Sequence, residues 1–404
     1  MRRQLNIDLS VYNISDYGFL PQQPTLSQLP DPYYEPWERI VADLPLLIAT
    51  KHIRSKIEGL AILSTARLDS EPKQRRAYVM LSFLAQAYIW GGDEPKQKLP
   101  CALGQPLVEV AKCLQIQPFV TFSAFCLWNF ACQPSTDIAC DALSPENLTT
   151  LCSFTGTPDE SWFYNISVAI EAKGGQLIPS ILEAIEAVRL GDSRRVTRFL
   201  TGFSYSLGDL CDIMERMYRR CKPTVFHNQI RPFLAGTRNV TSRGVFYTQD
   251  DCGGGKWYTY YGGSNAQSSL IQLFDIVLGI EHSQCDSKEP SSKCKTGYLQ
   301  EMRSYMPAPH REFLELMERV CSIREYVFSN SEDCTLRGAY NAAVLMLRTL
   351  RTKHIRLASQ YILLPKTRLN AGKPNLSYTG TGGTDLIPFL KRNRDETHAA
   401  LHAQ

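Results

Sequence analysis

The chain has 404 residues, of which 44% are hydrophobic, so it can bury a large core, and its length alone favours two domains. Its 44 basic and 40 acidic side chains leave a net charge of +4, which argues against a nucleic-acid-binding surface and against an acidic disordered protein. The longest uncharged apolar stretches, 77–90 and 118–132, are shorter than the roughly 18–20 residues of a membrane span, so both predict core segments.

The spacing of apolar residues predicts helices through the first part of the chain. A helix is expected from Pro36, because proline suits the first helical turn. Segment 46–63 continues this pattern, with apolar residues three and four apart. Segment 77–90 is apolar nearly all round, which predicts a central helix. Shorter helices are predicted at 107–114, 121–132 and 146–152.

The second part of the chain is also predicted to be helical, with one exception. In segment 243–263, β-branched and aromatic residues flank a glycine run, which predicts either a short β-hairpin or an aromatic loop. Segment 366–383 is rich in Gly, Asn, Thr and Lys and is expected to form a mobile loop. Because strand alternation is almost absent, the predicted fold class is all-α. Helices are predicted at 162–172, 180–190, 195–221, 268–279, 299–303, 310–321, 336–364 and 384–400.

The cysteines and the first residues bear on the cellular location. The 13 cysteines are scattered, and no Cys-x-x-Cys pair occurs. This usage favours a reduced intracellular protein over a disulfide scaffold or a zinc site. The first residues, Met1 to Asn6, lack the apolar stretch of a secretory signal. We therefore expect a cytoplasmic protein.

Histidine is the residue type with the clearest candidate ligand. No His-Glu-x-x-His motif occurs, so a metal site with several protein ligands is not predicted. Haem needs only one protein ligand, typically a neutral imidazole on a helix beside a cavity. The chain offers seven candidates: His52, His227, His282, His310, His354, His398 and His402.

His354 is the best of these candidates. At helical spacing it shares an apolar face with Leu347, Leu350, Ala358 and Tyr361. Arg351 lies one turn earlier beside that face, where its guanidinium is suited to a haem propionate. From this pattern alone the alternative stays open, because a histidine on an apolar helix face is more often a hydrogen-bonded core residue.

Several motifs, in order along nearly the whole chain, resemble the indoleamine 2,3-dioxygenase family. Leu-Arg-Thr-Lys-His at 350–354, followed by 360–365, resembles the family's proximal helix. The glycine-rich segment 380–386 resembles its C-terminal signature. Further resemblances lie at 29–34 with Trp37, at Phe226 with Arg231, at 261–264 with 267–269, and at 302–307 with His310 and Arg311.

The resemblance implies a fold and a reaction. It implies an all-α protein in which a small N-terminal domain, residues 1–135, caps a larger haem-binding domain, residues 136–404. It also implies haem b as the cofactor, ferrous when active and reduced by an external electron donor. The implied reaction inserts both atoms of O2 across the indole C2–C3 bond of L-tryptophan to give N-formylkynurenine, the first step of the kynurenine pathway. The protein is expected to act as a monomer.

The resemblance also implies roles for individual residues near the cofactor. His354 corresponds to the proximal iron ligand and Arg351 to a cofactor contact. Asp275 is a possible partner of Arg351 or of the His354 ring, or else a surface or capping carboxylate. Gly263, Ser264 and Asn265 are expected at the haem edge, where a missing side chain lets backbone approach closely. Ser264 is also expected to reach the substrate.

Further residues are implied on the substrate side. Phe226 is expected to pack against the indole ring, and Arg231 to hold the substrate carboxylate through a two-bond fork. Ser167, Phe122 and Phe163 are expected to line the distal pocket. Thr381 is expected on a loop that closes over the substrate. Each of these residues is also compatible with an ordinary core or surface role.

One position departs from the family pattern. His227 stands where the family commonly carries Phe or Tyr, and the imidazole adds a polar, titratable ring to the predicted substrate side. This departure keeps open a non-catalytic haem protein that binds O2 on the same fold. A helical scaffold without haem is the third alternative. His310 is interpreted as structural, and His52, His282, His398 and His402 as surface residues.

Overall fold

The computed structural model describes residues 7–23, 25–133, 143–250, 252–282, 297–365 and 386–402. Helices dominate these residues and the strands are few and short, which confirms the predicted all-α class. Within this part of the chain, no helix is both long and apolar enough to cross a membrane.

The first five helices pack together around one buried helix, the fourth. The group consists of α1 (Glu35–Ala42), α2 (Leu44–Ala49), α3 (Ile53–Glu58), α4 (Glu71–Trp90) and α5 (Cys101–Cys113). Every residue of α4 from Arg76 to Ile89 is buried, as its all-round apolar sequence predicts. The predicted continuous helix 46–63 is wrong, because the chain turns at Lys51, whose φ of 58° lies in the left-handed region, and α3 stops at Glu58.

Two further predicted helices, 121–132 and 146–152, are replaced by other structures. A π-helical turn covers Ser123–Leu127, and the strands β2 (Phe130–Cys132) and β3 (Leu148–Thr150) pair antiparallel. The side chain of Asn129 closes this pair, because its Nδ2 donates to the Cys152 carbonyl at 2.9 Å and its Oδ1 accepts from the Cys152 amide at 2.7 Å. A contact between segments thus overrides the local helical pattern.

Segment 243–263 forms a β-hairpin, which confirms the first of the two predicted alternatives, a hairpin or an aromatic loop. Strand β4 (Val245–Thr248) pairs antiparallel with β5 (Gly255–Tyr258), with Val245 opposite Tyr258. Gly253 in the connection has a φ of 83°, which glycine adopts without strain. A two-residue strand, Lys98–Leu99, joins the other edge of β4 in parallel and is numbered β1.

The remaining helices build the second half of the molecule. They are α6 (Pro158–Gly175), α7 (Ile178–Leu190), α8 (Ser193–Glu215), α9 (Met217–Arg220), α10 (Pro223–Val225), α11 (Ser269–Leu278), α12 (Tyr298–Arg303), α13 (Ala308–Val320), α14 (Ile323–Ser329), α15 (Cys334–Ala358) and α16 (Leu386–Ala399). Helix α15 packs along α8 on one side and against α16 on another. Asp333 fixes its start by accepting the Thr335 and Leu336 amides.

The hydrophobic core consists of separate clusters. One surrounds α4, and a second joins α7, α8, α11, α13 and α15. A smaller third cluster includes Trp162, Phe226 and Tyr361, which come from α6 and from the turns after α10 and α15. Part of this third cluster, including Phe226 and Tyr361, lines the cavity described below.

Candidate active site

A cavity lies among α6, α11, α15 and α16. Its volume is about 280 Å³. Its walls are mostly aromatic and aliphatic, with few polar groups, as in many cofactor and small-molecule sites. Most of the predicted site residues line it: Phe122, Phe163, Ser167, Phe226, Arg231, Gly263, Ser264, Asn265, Arg351 and His354.

His354 lines the cavity from α15, and its predicted helical face is present. Leu347, Leu350, Ala358 and Tyr361 are buried on the same side and line the same cavity. Burial, together with the nearby Arg351 charge, lowers the pKa of His354 to about 4. The imidazole is therefore neutral at physiological pH, which is the form that binds iron.

Arg351 and Asp275 form a buried ion pair at the edge of the cavity. The Arg351 Nη2 donates to Asp275 Oδ1 at 2.5 Å, and its Nη1 donates to the Asn393 carbonyl at 3.2 Å. Of the roles considered for Asp275, the structure thus has it as the partner of Arg351. Burial alone would raise the pKa of Asp275, but the charge of Arg351 and the contact with His282 lower it, so the carboxylate stays ionised.

The interpretation of His282 as a surface residue is wrong. Its side chain is 17% exposed, and it bridges two carboxylates, with Nε2 at 3.1 Å from Asp275 Oδ2 and Nδ1 at 2.7 Å from Glu396 Oε2. Burial lowers its pKa, but the hydrogen bond and charge of Asp275 outweigh burial and raise it overall. Arg351, Asp275, His282 and Glu396 therefore form a continuous polar chain, here called the α16 tether.

His310 is structural, as interpreted from the sequence. It is 2% exposed, and its ring lies edge-on to Phe19 with centroids 4.9 Å apart. Burial lowers its pKa to about 3, so the ring is neutral at physiological pH. It is not among the cavity residues.

Three π-helical turns supply residues to the cavity. They cover Ser123–Leu127, Phe226–Ile230 and Ser359–Leu363, and each contributes at least one lining residue. In the second, the Arg231 amide bonds to the Phe226 carbonyl five residues earlier. This wider turn lets Phe226 and Arg231 line one cavity, whereas α-helical neighbours are three or four residues apart.

Aromatic rings form the wall next to Phe226. The Phe226 ring lies 4.9 Å from Phe163 and 5.7 Å from Tyr361, centroid to centroid, both edge-to-face. These are favourable geometries for aromatic rings, and a flat apolar ligand can extend them. Gly263 also packs closely against a ring of this wall, because a Cβ there would meet Phe125 Cε1 at 2.4 Å.

Two predicted site residues are not among those that line the cavity. His227 is half-buried next to Phe226 but is absent from the described cavity wall. Thr381 and the whole predicted mobile segment 366–383 lie outside the described residues.

The comparisons with known proteins point to one family. A sequence profile described as indoleamine 2,3-dioxygenase matches residues 8–400. The chain is 49% identical to indoleamine 2,3-dioxygenase nanC of Aspergillus nanangensis over 417 residues, covering 100% of this chain and 99% of the relative.

The chain belongs to the indoleamine 2,3-dioxygenase family.

Two further relatives span the family. The chain is 39% identical to the indoleamine 2,3-dioxygenase of Saccharomyces cerevisiae, covering 97% of this chain and 93% of the relative. It is 36% identical to 6-hydroxytryptophan 2,3-dioxygenase fscD of Fusarium equiseti, covering 99% of each. The chain is thus an oxidoreductase of the dioxygenase class, related to enzymes named as indoleamine and as 6-hydroxytryptophan dioxygenases.

The residues of the cavity fit the haem that membership of the indoleamine 2,3-dioxygenase family implies. A neutral, half-buried imidazole, an arginine at one edge and apolar walls are the donor, the counter-charge and the surroundings that a porphyrin needs. The sequence motifs located these residues, but they did not locate Glu171 or the α16 residues Phe389 and Asn393, which also line the cavity. Glu171 follows Ser167 by four residues, so helical periodicity predicts that both lie on the same face of α6.

Proposed function

We propose that this protein is a haem-dependent dioxygenase that inserts both atoms of O2 across the indole C2–C3 bond of L-tryptophan, giving N-formylkynurenine, the first step of the kynurenine pathway. One observation carries the proposal: His354, Arg351, Phe226 and Arg231 line the same apolar cavity. An iron ligand and a carboxylate-binding arginine in one dry space suit an amino-acid oxygenase.

Residues of α15 would hold one haem b per chain. His354 would bind the iron, Arg351 would pair with a propionate, and Gly263 and Asn265 would border the ring. When bound and reduced by an external donor, haem supplies the binding and activation of O2. The protein's own contribution is to keep the His354 imidazole neutral and to exclude water from the cavity.

The other cavity residues would position the substrate. Phe226, Phe163 and Phe122 offer aromatic surface for the indole, and such contacts contribute about 0.5–1.5 kcal/mol beyond burial. Arg231 would bind the carboxylate, since burial lowers its pKa but leaves the guanidinium charged. Ser167 and Ser264 would add polar contacts, and Thr381 would close over the substrate. His227 would act beside the pocket rather than against the indole.

Three coarser expectations complete the proposal. We also propose that the chain divides into two domains at residue 135, that it is a monomer and that it is cytoplasmic. They are consistent with a small-molecule enzyme that works with a diffusible electron donor, and none of them affects the assignment of the cavity.

Turnover and haem content test the proposal together. Purified protein is expected to show a haem Soret band and, with reductant and O2, to convert L-tryptophan to N-formylkynurenine. His354→Ala removes the proposed iron ligand and is expected to lose most of the haem, whereas His398→Gln, which changes an exposed residue of α16, is expected to keep it. Unchanged haem in His354→Ala would refute the ligand assignment.

The substrate arm of the same experiment compares L-tryptophan with 6-hydroxytryptophan, because one relative carries the latter in its name. Preference for 6-hydroxytryptophan would change the proposed substrate but not the proposed class of reaction. Reversible O2 binding without product from either compound would favour the non-catalytic haem protein.

A further inference from the structure

Glu171 is a buried carboxyl group in the cavity wall that the proposed function does not use. It lies on α6, one turn after Ser167, and is 2% exposed. The Ser268 hydroxyl donates to Glu171 Oε1 at 2.5 Å. Its other oxygen, Oε2, has no hydrogen-bond partner within the described part of the chain. A buried ionised oxygen without a partner is costly, so this site favours protonation of the carboxyl group.

The ionisable groups around Glu171 do not fix its charge. Burial raises its pKa to about 7, and the Ser268 hydroxyl is the opposing influence. Burial keeps the neighbouring Cys126 a neutral thiol by raising its pKa. Lys173 on the same helix pairs with Asp209 at 3.3 Å, with both side chains largely exposed. Among the residues that the structure describes, Glu171 therefore has no cationic partner that would hold it ionised.

The other ionisable groups of the cavity are already committed. Asp275 is ionised and bound to Arg351 and His282, and its lowered pKa keeps it so. His354 is the proposed iron ligand. Among the described cavity carboxyls, Glu171 is the one that can gain or lose a proton near neutral pH.

We propose that Glu171 is the redox-linked proton site of the haem pocket, taking up one proton at Oε2 when the iron gains one electron. This inference rests on the proposed haem function. The step is balanced: ferric iron, one electron from an external one-electron donor, and one proton from solvent give ferrous iron and a protonated Glu171. Because the electron removes a positive charge from the cavity, it raises the proton affinity of a nearby carboxylate. The total charge of the buried space then stays constant.

Ser268 acts as a positioning residue in this scheme. Its single hydroxyl hydrogen is donated to Oε1, and its oxygen accepts the Ile271 amide at 3.4 Å as it caps α11. The hydroxyl is thereby held toward Oε1 in both protonation states of Glu171. Oε2 is left as the oxygen that receives the proton.

The iron midpoint potential of the haem-loaded protein, measured from about pH 6 to pH 8, tests the proposal. In the wild type it is expected to fall as pH rises, with a slope of up to about 59 mV per pH unit, the value for one proton per electron. Glu171→Gln is a permanently uncharged near-isostere, so its potential is expected to be nearly independent of pH. Glu171→Asp keeps the carboxyl and is expected to retain the slope, and Glu183→Gln, an exposed carboxylate of α7, is the matched control.

A second measurement uses only the wild type, so it tests the proposal even if a variant fails to fold. The reduced-minus-oxidised infrared difference spectrum is expected to show a protonated carboxyl appearing on reduction. The absence of such a band would overturn the proposal. A slope that persists unchanged in Glu171→Gln would also overturn it and would assign proton uptake to another group, such as a propionate. A protein that binds no haem would instead overturn the proposed function itself.

Discussion

At the scale of single residues, Arg231 carries the most specific expectation for the substrate. It is half-buried in the cavity wall, and burial lowers the pKa of its guanidinium without removing the charge. A buried charge that meets a substrate carboxylate is costly to lose, since truncating one partner of such a pair costs about 2–5 kcal/mol. The Arg231 contact is therefore expected to contribute mainly to binding.

Arg231→Ala is expected to raise KM for L-tryptophan roughly 30-fold or more, at about 1.4 kcal/mol per factor of ten. Arg231→Lys keeps the charge but loses the planar fork, so an intermediate KM is expected. Steady-state kinetics give these values, and the Soret band checks that haem content is unchanged. Tryptamine, which has no carboxylate, serves as the control substrate: an equal loss for tryptamine would show that Arg231 shapes the pocket instead.

At the scale of elements, the α16 tether connects the last helix to the cavity. His282 and Glu396 join α16 to Asp275 on α11, and Arg351 of α15 bonds to the Asn393 carbonyl. Since the pKa of His282 is raised in the folded state, its contribution to stability is fully present below the ordinary histidine pKa of about 6.5. That contribution is lost as pH rises through the raised pKa.

Thermal unfolding between about pH 6 and pH 9 tests this dependence. The wild type is expected to lose more stability toward high pH than His282→Gln, which has no titrating ring. At pH 6, His282→Gln is expected to be less stable by about 1.5–3 kcal/mol, the range for hydrogen bonds to charged groups. His398→Gln on the same helix is exposed and is expected to match the wild type. If stability changed with pH in parallel for His282→Gln and the wild type, the stabilising role of His282 in the α16 tether would be contradicted.

Two helical glycines give a prediction about α8 and α15. A Cβ added at Gly202 or Gly338 meets nothing within 4 Å, and both positions are exposed. Alanine at either site is expected to stabilise the protein by about 0.5–1 kcal/mol, because it loses less backbone entropy on folding. Urea denaturation measures the change.

Gly191 is the matched control for these substitutions. A Cβ there also meets nothing within 4 Å, but its φ is 72°. Alanine at that position is expected to destabilise by about 1–2 kcal/mol, because the left-handed conformation strains an L side chain. Stabilisation by Gly191→Ala would contradict the backbone argument.

The elements also show where prediction from sequence succeeds and fails. Helix α4 and the His354 face of α15 follow from apolar periodicity, because burial repeats with the helical turn. The π-turn that lets Phe226 and Arg231 share a cavity has no such signal, since one extra residue per turn alters the spacing. Strands β2 and β3 were missed because Asn129 and Cys152 pair across 23 residues.

At the scale of the whole molecule, contacts between distant segments fix the position of the site. The buried Gln86 of α4 donates to the Phe233 and Ala235 carbonyls at 2.7 and 3.0 Å. These bonds tie the central helix to the segment that bears Arg231, across more than a third of the chain. Motif order predicted which residues meet in the cavity, but the sequence contained no signal for these supporting bonds or for the α16 tether.

The cavity wall also has a consequence for the order of folding. Its residues run from Phe122 to Asn393, so the N-terminal third of the chain contributes little of it, whereas α16 contributes Leu386, Phe389, Leu390 and Asn393. That side of the cavity is missing until α16 packs against α15, because the contact between Arg351 and the Asn393 carbonyl needs both helices in place. Closure of the cavity is therefore expected to be a late step of folding.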